Sequence, residues 1–230
     1  MQPGTSHRYG MLRRVVKLCA VFLVASVSYG AHAAPDDQRH ILALGDSLTA
    51  GYGLEPGQSF PARLEKSLRD SGLKVKVHNA GVSGDTASGG LSRLDWALAG
   101  IPRGKPDLAI VELGANDALR GIDPKVTLKA LTAILERFRK EGVPVILAGM
   151  KAPPNMGAAY VQQFDGIYPA LARQFGLPLY PFFLQGVIGQ KGMVQADALH
   201  PTAKGIDVIV TGIAPMVHSQ LKRSGGPGGI

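Results

Sequence analysis

Five short apolar runs punctuate the chain: "HILALG" at 40–45, "KVKVHNAG" at 74–81, "DLAIVELG" at 107–114, "VPVILAG" at 143–149 and "LPLYPF" at 177–182. Their length and their richness in Val, Ile and Leu predict strands. Most of them scarcely alternate between apolar and polar positions, as expected of strands covered on both faces. The stretches between them carry helical signals. "FPARLEKSLRDSG" has Pro61 early and Gly72 as its stop, and "DPKVTLKALTAILERFRKEG" has Asp123 as N-cap, Pro124 at the first helical position and Gly142 as its stop. The repeated strand–helix order predicts an α/β fold with three layers, helices on both sides of a mostly parallel sheet of about five strands.

In open parallel sheets ligands collect beyond the carboxyl ends of the strands, where the connecting loops converge. Three predicted strands end there in polar or glycine-bearing loops: Ser47 follows the first, Gly84 the second in "NAGVSGDT", and Asn116 the third in "ELGANDALRG". A fourth segment, "DALHPTAKG", brings Asp197 and His200 to the start of a last predicted helix.

The first 34 residues form a separate unit. Arg13, Arg14 and Lys17 precede the apolar run "LCAVFLVASV", and Ala31-His32-Ala33 follows it, the layout of a secretory signal cleaved after Ala33 or Ala34. The apolar run falls short of the roughly 20 residues that a membrane span needs. Cleavage would remove four basic and no acidic side chains, leaving 21 basic against 17 acidic, so the formal charge drops from +8 to +4. The remaining charge forms no basic block, which argues against a nucleic-acid partner. Cys19 is the one cysteine and lies within the signal, so the processed chain has no disulfide and no cysteine metal site. The expected organisation is a signal at 1–34, one domain at 35–222 and a glycine-rich flexible tail at 223–230. No stable membrane anchor remains after cleavage, and the expected compartment is periplasmic or secreted.

A serine hydroxyl needs a base within hydrogen-bond reach to become a competent nucleophile, and His200 supplies an imidazole. Asp197, three residues earlier, can hold that ring in the required tautomer. The chain order Ser…Asp…His is that of α/β-hydrolases, but Ser47 sits in Gly45-Asp46-Ser47-Leu48-Thr49 and not in a Gly-x-Ser-x-Gly elbow. Attack on a carbonyl creates an oxyanion, for which the backbone N–H groups of Ser47 and Gly84 and the Asn116 carboxamide are the candidate donors. Asp46 and Asp117 are expected to order their own turns, and Asp85-Thr86 to cap a following helix. His40, His78 and His218 are read as structural or solvated histidines, and Trp96 as a packing residue.

"GDSLTAGYGL", "NAGVSGDT", "ELGANDALRG" and "DALHP" resemble, in order, the four sequence blocks of the SGNH (GDSL) hydrolase superfamily, and the resemblance spans residues 41–201. Through "ELGANDALRG" and "APPNMGAAY" (152–160) the chain is most similar to the periplasmic multifunctional thioesterase/lysophospholipase/arylesterase group. The resemblance implies a flavodoxin-like α/β/α fold, Ser47 as nucleophile, Gly84 and Asn116 as oxyanion donors, and Asp197 with His200 completing the machinery. It also implies hydrolysis of small-molecule esters and thioesters without metal or organic cofactor. An acyl groove is expected along the "APPNMGAAY" loop, the segment after Asn116 and Phe182-Phe183-Leu184, with Leu119, Pro154, Met156 and Tyr160 as lining candidates. Tyr160 also reads as a packing residue. Three other readings stay open: a carbohydrate-ester deacetylase, a non-catalytic carrier of acyl chains or lipids, and metal-assisted phosphoester hydrolysis through Asp46, Asn116, Asp197 and His200.

Overall fold

The computed structural model describes residues 38–224. The segment read as a secretory signal, 1–34, and the end of the expected tail, 225–230, lie outside the described residues. Five strands form one parallel sheet in the order β2-β1-β3-β4-β5: β1 (Arg39–Gly45), β2 (Val75–Gly81), β3 (Leu108–Glu112), β4 (Val145–Ala148) and β5 (Leu179–Tyr180). All five predicted strands are present, within a residue or two at their ends. The largest shortfall is β5, where Pro178 and Pro181 flank the two paired residues and have no N–H to offer a ladder.

Every residue of β3 and β4 is buried, and all of β1 after Arg39. Edge strand β2 alternates, and its free edge is closed by helix α2 (Phe60–Asp70). Glu65 accepts from the Val77 N–H at 2.8 Å and Arg69 Nε donates to the Val75 carbonyl at 2.8 Å, so two of the backbone groups a neighbouring strand would use are occupied.

The strands are joined by α1 (Ser47–Ala50), α2, α3 (Ala87–Ser92), α4 (Leu94–Ala99), α5 (Ala115–Leu119), α6 (Pro124–Lys140), α7 (Ala158–Asp165) and α8 (Ile167–Phe175), with α9 (Ala203–Ser224) last. In α6 the Asp123 carboxylate accepts from the Lys125 N–H at 2.9 Å, Pro124 opens the first turn, and Gly142 follows the end at φ 63°. Its buried residues Thr127, Leu131, Ile134, Leu135 and Phe138 recur at helical spacing. Helix α2 packs against α9, while α6 packs against α3 and α8, and the doubly buried central strands lie between these two sets. Helix α9 runs to Ser224, two residues into the segment expected to be tail.

Trp96 departs from its reading as a packing residue: it is 72% exposed on α4. His40 is buried and lies 2.9 Å, Nδ1 to Nε2, from His78, whose pKa is lowered by burial and then by His40.

Candidate active site

The strand ends dictate where the polar groups sit. Strand β1 stops at Gly45, and Asp46 leaves the extended conformation to cap α1, its Oδ1 accepting from the Leu48 N–H at 2.9 Å. Ser47 is therefore the first residue of a short helix, lifted clear of the sheet. Gly45 pairs with Glu112, the last residue of β3. A Cβ on Gly45 would lie 2.1 Å from Thr49 Oγ1 and 2.6 Å from Glu112 Oε2, so glycine is required for these two side chains to meet over the chain. They do meet: the Thr49 hydroxyl donates to Glu112 Oε2 at 2.7 Å. Asp46, Thr49 and Glu112 are all buried. Burial raises the Asp46 carboxyl to about 7 against the opposing hydrogen bond from Leu48, and pushes Glu112 well above the carboxylate range, with Asp46 adding to the effect.

The neighbouring loop is tied down from three sides. Gly84 has φ 86° and lies beside Arg120, whose Nη2 donates to the Gly84 carbonyl at 2.8 Å. Asn116 Nδ2 donates to the Asp85 carbonyl at 2.9 Å and, at a longer 3.3 Å, to Asp46 Oδ2. Arg93 Nε pairs with Asp85 at 2.5 Å and its Nη2 donates to the Gly45 carbonyl at 2.8 Å, joining the loop to the end of β1. Thr86 caps α3, its Oγ1 accepting from the Gly89 N–H at 3.1 Å, whereas Asp85 serves Arg93. Asp117 does more than order its own turn: it is buried, and accepts from the Ala87 N–H and the Thr127 hydroxyl, each at 2.8 Å, so it stitches α3 to α6.

Asp197 and His200 come from a turn before α9. Asp197 Oδ1 accepts from the N–H groups of Leu199 and His200, both at 3.0 Å, and Ala198 takes up φ 58° between them. Those bonds, with the one from the His200 ring, hold the carboxyl down at about 2. His200 Nδ1 lies 2.6 Å from Asp197 Oδ2, and Nε2 lies 2.8 Å from Ser47 Oγ. Tyr52 lays its ring 4.6 Å from the imidazole, and Gln195 Nε2 donates to the carbonyls of Tyr52 and Pro201 at 2.8 and 3.0 Å. The geometry thus connects a hydroxyl, an imidazole and an ionised carboxylate in series, an arrangement that can activate an oxygen nucleophile.

This series opens on a cavity of about 600 Å³, which Ser47, Gly84, Asn116 and His200 share with apolar walls that include Leu48, Met150, Phe182, Leu184 and Ile188. Leu119 and Pro154 are in the wall. Met156 and Tyr160 are not. Met156 turns toward Gly121, and the Tyr160 hydroxyl donates to the Ile122 carbonyl at 2.8 Å while its ring stacks on Phe164. Phe183 is in the core against Phe60. Two more open depressions of about 710 and 690 Å³ hold none of the hydroxyl, imidazole or carboxylate groups just described. Of the four groups considered as metal ligands, Asp46 bonds Asn116 and Asp197 bonds His200; among the described residues no three His, Cys, Asp or Glu side chains converge as a metal-binding group.

Thr49, Arg93, Glu112, Arg120, Tyr52 and Gln195 belong to this site without having been singled out in the sequence. Only Glu112 carried a signal, a lone acid inside the apolar run "LAIVELG".

Fold and site together define a serine hydrolase of acyl esters built on a doubly wound parallel sheet. The pattern of the GDSL-like Lipase/Acylhydrolase family matches residues 43–208, and the chain belongs to that family. It is 45% identical over 161 residues to esterase TesA of Pseudomonas aeruginosa, covering 70% of this chain and 79% of that one. It is 38% identical over 161 residues to thioesterase 1/protease 1/lysophospholipase L1 of Escherichia coli, covering 70% and 74%. The crystal structure of AlinE4, a SGNH-hydrolase family esterase, matches with a TM-score of 0.68 at 48% identity, covering 79% of this chain and 96% of that one.

Proposed function

We propose that the chain hydrolyses aryl and short-to-medium acyl esters and thioesters, lysophospholipids among them, through an acyl-enzyme on Ser47. The observation that carries this reading is the unbroken series Ser47 Oγ to His200 Nε2 at 2.8 Å and His200 Nδ1 to Asp197 Oδ2 at 2.6 Å. Ser47 Oγ attacks the acyl carbonyl carbon as its proton passes to Nε2, and Asp197 steadies the resulting imidazolium. The oxyanion is received by the backbone N–H groups of Ser47 and Gly84 and by Asn116, whose long bond to Asp46 is the one that yields. Collapse breaks the bond to the leaving oxygen or sulfur, which takes the proton from Nε2. Water then repeats the sequence on the acyl-enzyme.

The apolar wall suits an acyl chain, and the names of the relatives, an esterase and a thioesterase/lysophospholipase, suit the same chemistry. The signal-like segment 1–34 supports action in the periplasm or outside the cell. Among the described residues no helix is long and apolar enough to cross a membrane.

A panel of p-nitrophenyl acyl esters, acyl thioesters and lysophospholipids, run on wild type and Ser47→Ala, tests the proposal. Turnover by wild type that Ser47→Ala abolishes is expected, together with stoichiometric labelling of wild type by a fluorophosphonate. Undiminished turnover by Ser47→Ala would end it.

A further inference from the structure

Glu112 ends β3 beneath the nucleophile corner, and no step of the acyl transfer described above uses it. Its side chain is fully buried; Oε2 accepts from the Thr49 hydroxyl at 2.7 Å and from the Asp46 N–H at 3.4 Å, and Oε1 has no hydrogen-bond partner. Burying a carboxyl so incompletely satisfied is costly, and the other four residues of β3 are Leu, Ala, Ile and Val. An apolar residue would complete the strand without that cost. What the acid adds is its hold on two groups that stand on either side of Ser47 in the chain. Gly45 makes room for that hold, since its missing Cβ would collide with both Glu112 Oε2 and Thr49 Oγ1.

We propose that Glu112 is a positioning residue for the nucleophile: by accepting from the Asp46 N–H and the Thr49 hydroxyl, it fixes the height at which Ser47 Oγ leaves the sheet and meets His200. This inference rests on Ser47 being the nucleophile. The same clamp reaches the oxyanion side, because the Asp46 carboxyl accepts from Asn116 Nδ2 at 3.3 Å. A displacement at Glu112 therefore moves the attacking oxygen and one donor together. Misplacing a reacting group by about 1 Å can cost on the order of 10²-fold in rate.

Three single variants and one double variant test it, each assayed with a p-nitrophenyl ester well below its own melting temperature. Glu112→Ala removes the clamp and is expected to lower kcat about 10²-fold with KM within about twofold of wild type. Glu112→Gln keeps an acceptor oxygen at the same reach and is expected to stay within about threefold of wild type, with a superimposable pH profile. Thr49→Val removes one arm and is expected to lower kcat about tenfold; combined with Glu112→Ala it adds little, because both act through one contact. The rate of Ser47 labelling by a fluorophosphonate should follow kcat across the series while the circular dichroism spectrum at the assay temperature matches wild type, which separates a misplaced nucleophile from an unfolded chain. If Glu112→Ala does not fold, Thr49→Val and Glu112→Gln decide the matter. The proposal is overturned if Thr49→Val keeps wild-type kcat, if Glu112→Gln is as slow as Glu112→Ala, or if the loss lies in KM. A Ser47→Ala control that turns over normally would instead refute the nucleophile assignment, and so marks that failure separately.

Discussion

Ser47 and His200 arrive at the same hydrogen bond from two different kinds of structure. The corner that carries Ser47 is anchored by buried side chains of Asp46, Thr49 and Glu112, and its bonds to Glu112 and Asn116 join residues more than 60 positions apart. The turn that carries His200 is held by bonds spanning two or three residues, and the Asp197 side chain is 36% exposed. Its longer ties run through Gln195 to Tyr52 and through the tilted contact of the Tyr52 ring with the imidazole. One half of the site is thus fixed by the core and the other by its own local backbone. The buried half should couple activity to stability, and the exposed half should let activity change while the fold stays as it is.

Ser47→Ala should show the largest effect, a fall in kcat of roughly 10⁴-fold or more with an unchanged circular dichroism spectrum. It acts on chemistry and leaves the buried clamp in place. Asn116→Ala is expected to cost about 10²–10³ in kcat, read from steady-state kinetics, and to lower stability as well, because Asn116 ties Asp46 to Asp85. Gly45→Ala drives a methyl group into Thr49 and Glu112 and should destabilise the fold by about 1–3 kcal/mol in urea titration, losing activity with it. Gln195→Ala, in the exposed half, removes two hydrogen bonds to carbonyls and should cost only about 1 kcal/mol of stability while lowering kcat a few-fold. Equal stability losses for Gly45→Ala and Gln195→Ala would break the contrast.

The smallest effect concerns pH. Asp46, raised from 3.8 to about 7 by burial, and Glu112, raised likewise, hold protons in the fold that an unfolded chain releases at lower pH. The contribution of Asp46 to stability therefore falls as pH rises from about 4 toward about 7, and that of Glu112 falls as pH rises above the ordinary carboxylate range. Asp197 has the opposite sign: folding lowers it from 3.8 to about 2, so its contribution is present above about 4 and lost as pH falls through about 2. Melting temperatures measured from about pH 5 to 8 should decline less for Glu112→Gln than for wild type, since the amide has no proton to lose.

The uneven legibility of the site follows from the same division. Apolar runs separated by capped helices specified the parallel α/β sheet, because strand and helix periodicity and helix caps such as Asp123 are written in neighbouring residues. The Asp197–His200 pair was legible for that reason too, with three residues and one turn between them. Ser47, Gly84 and Asn116 could be placed because strands running in parallel deliver their carboxyl ends to one edge. Met156 and Tyr160 lie outside the cavity wall, because proximity along the "APPNMGAAY" loop does not decide which side chains turn inward. The clamp on Ser47 belongs to tertiary structure alone. Nothing near Gly45 announces Glu112, and the need for glycine there appears only when two strands 67 residues apart lie side by side and a carboxyl and a hydroxyl occupy the space a Cβ would take.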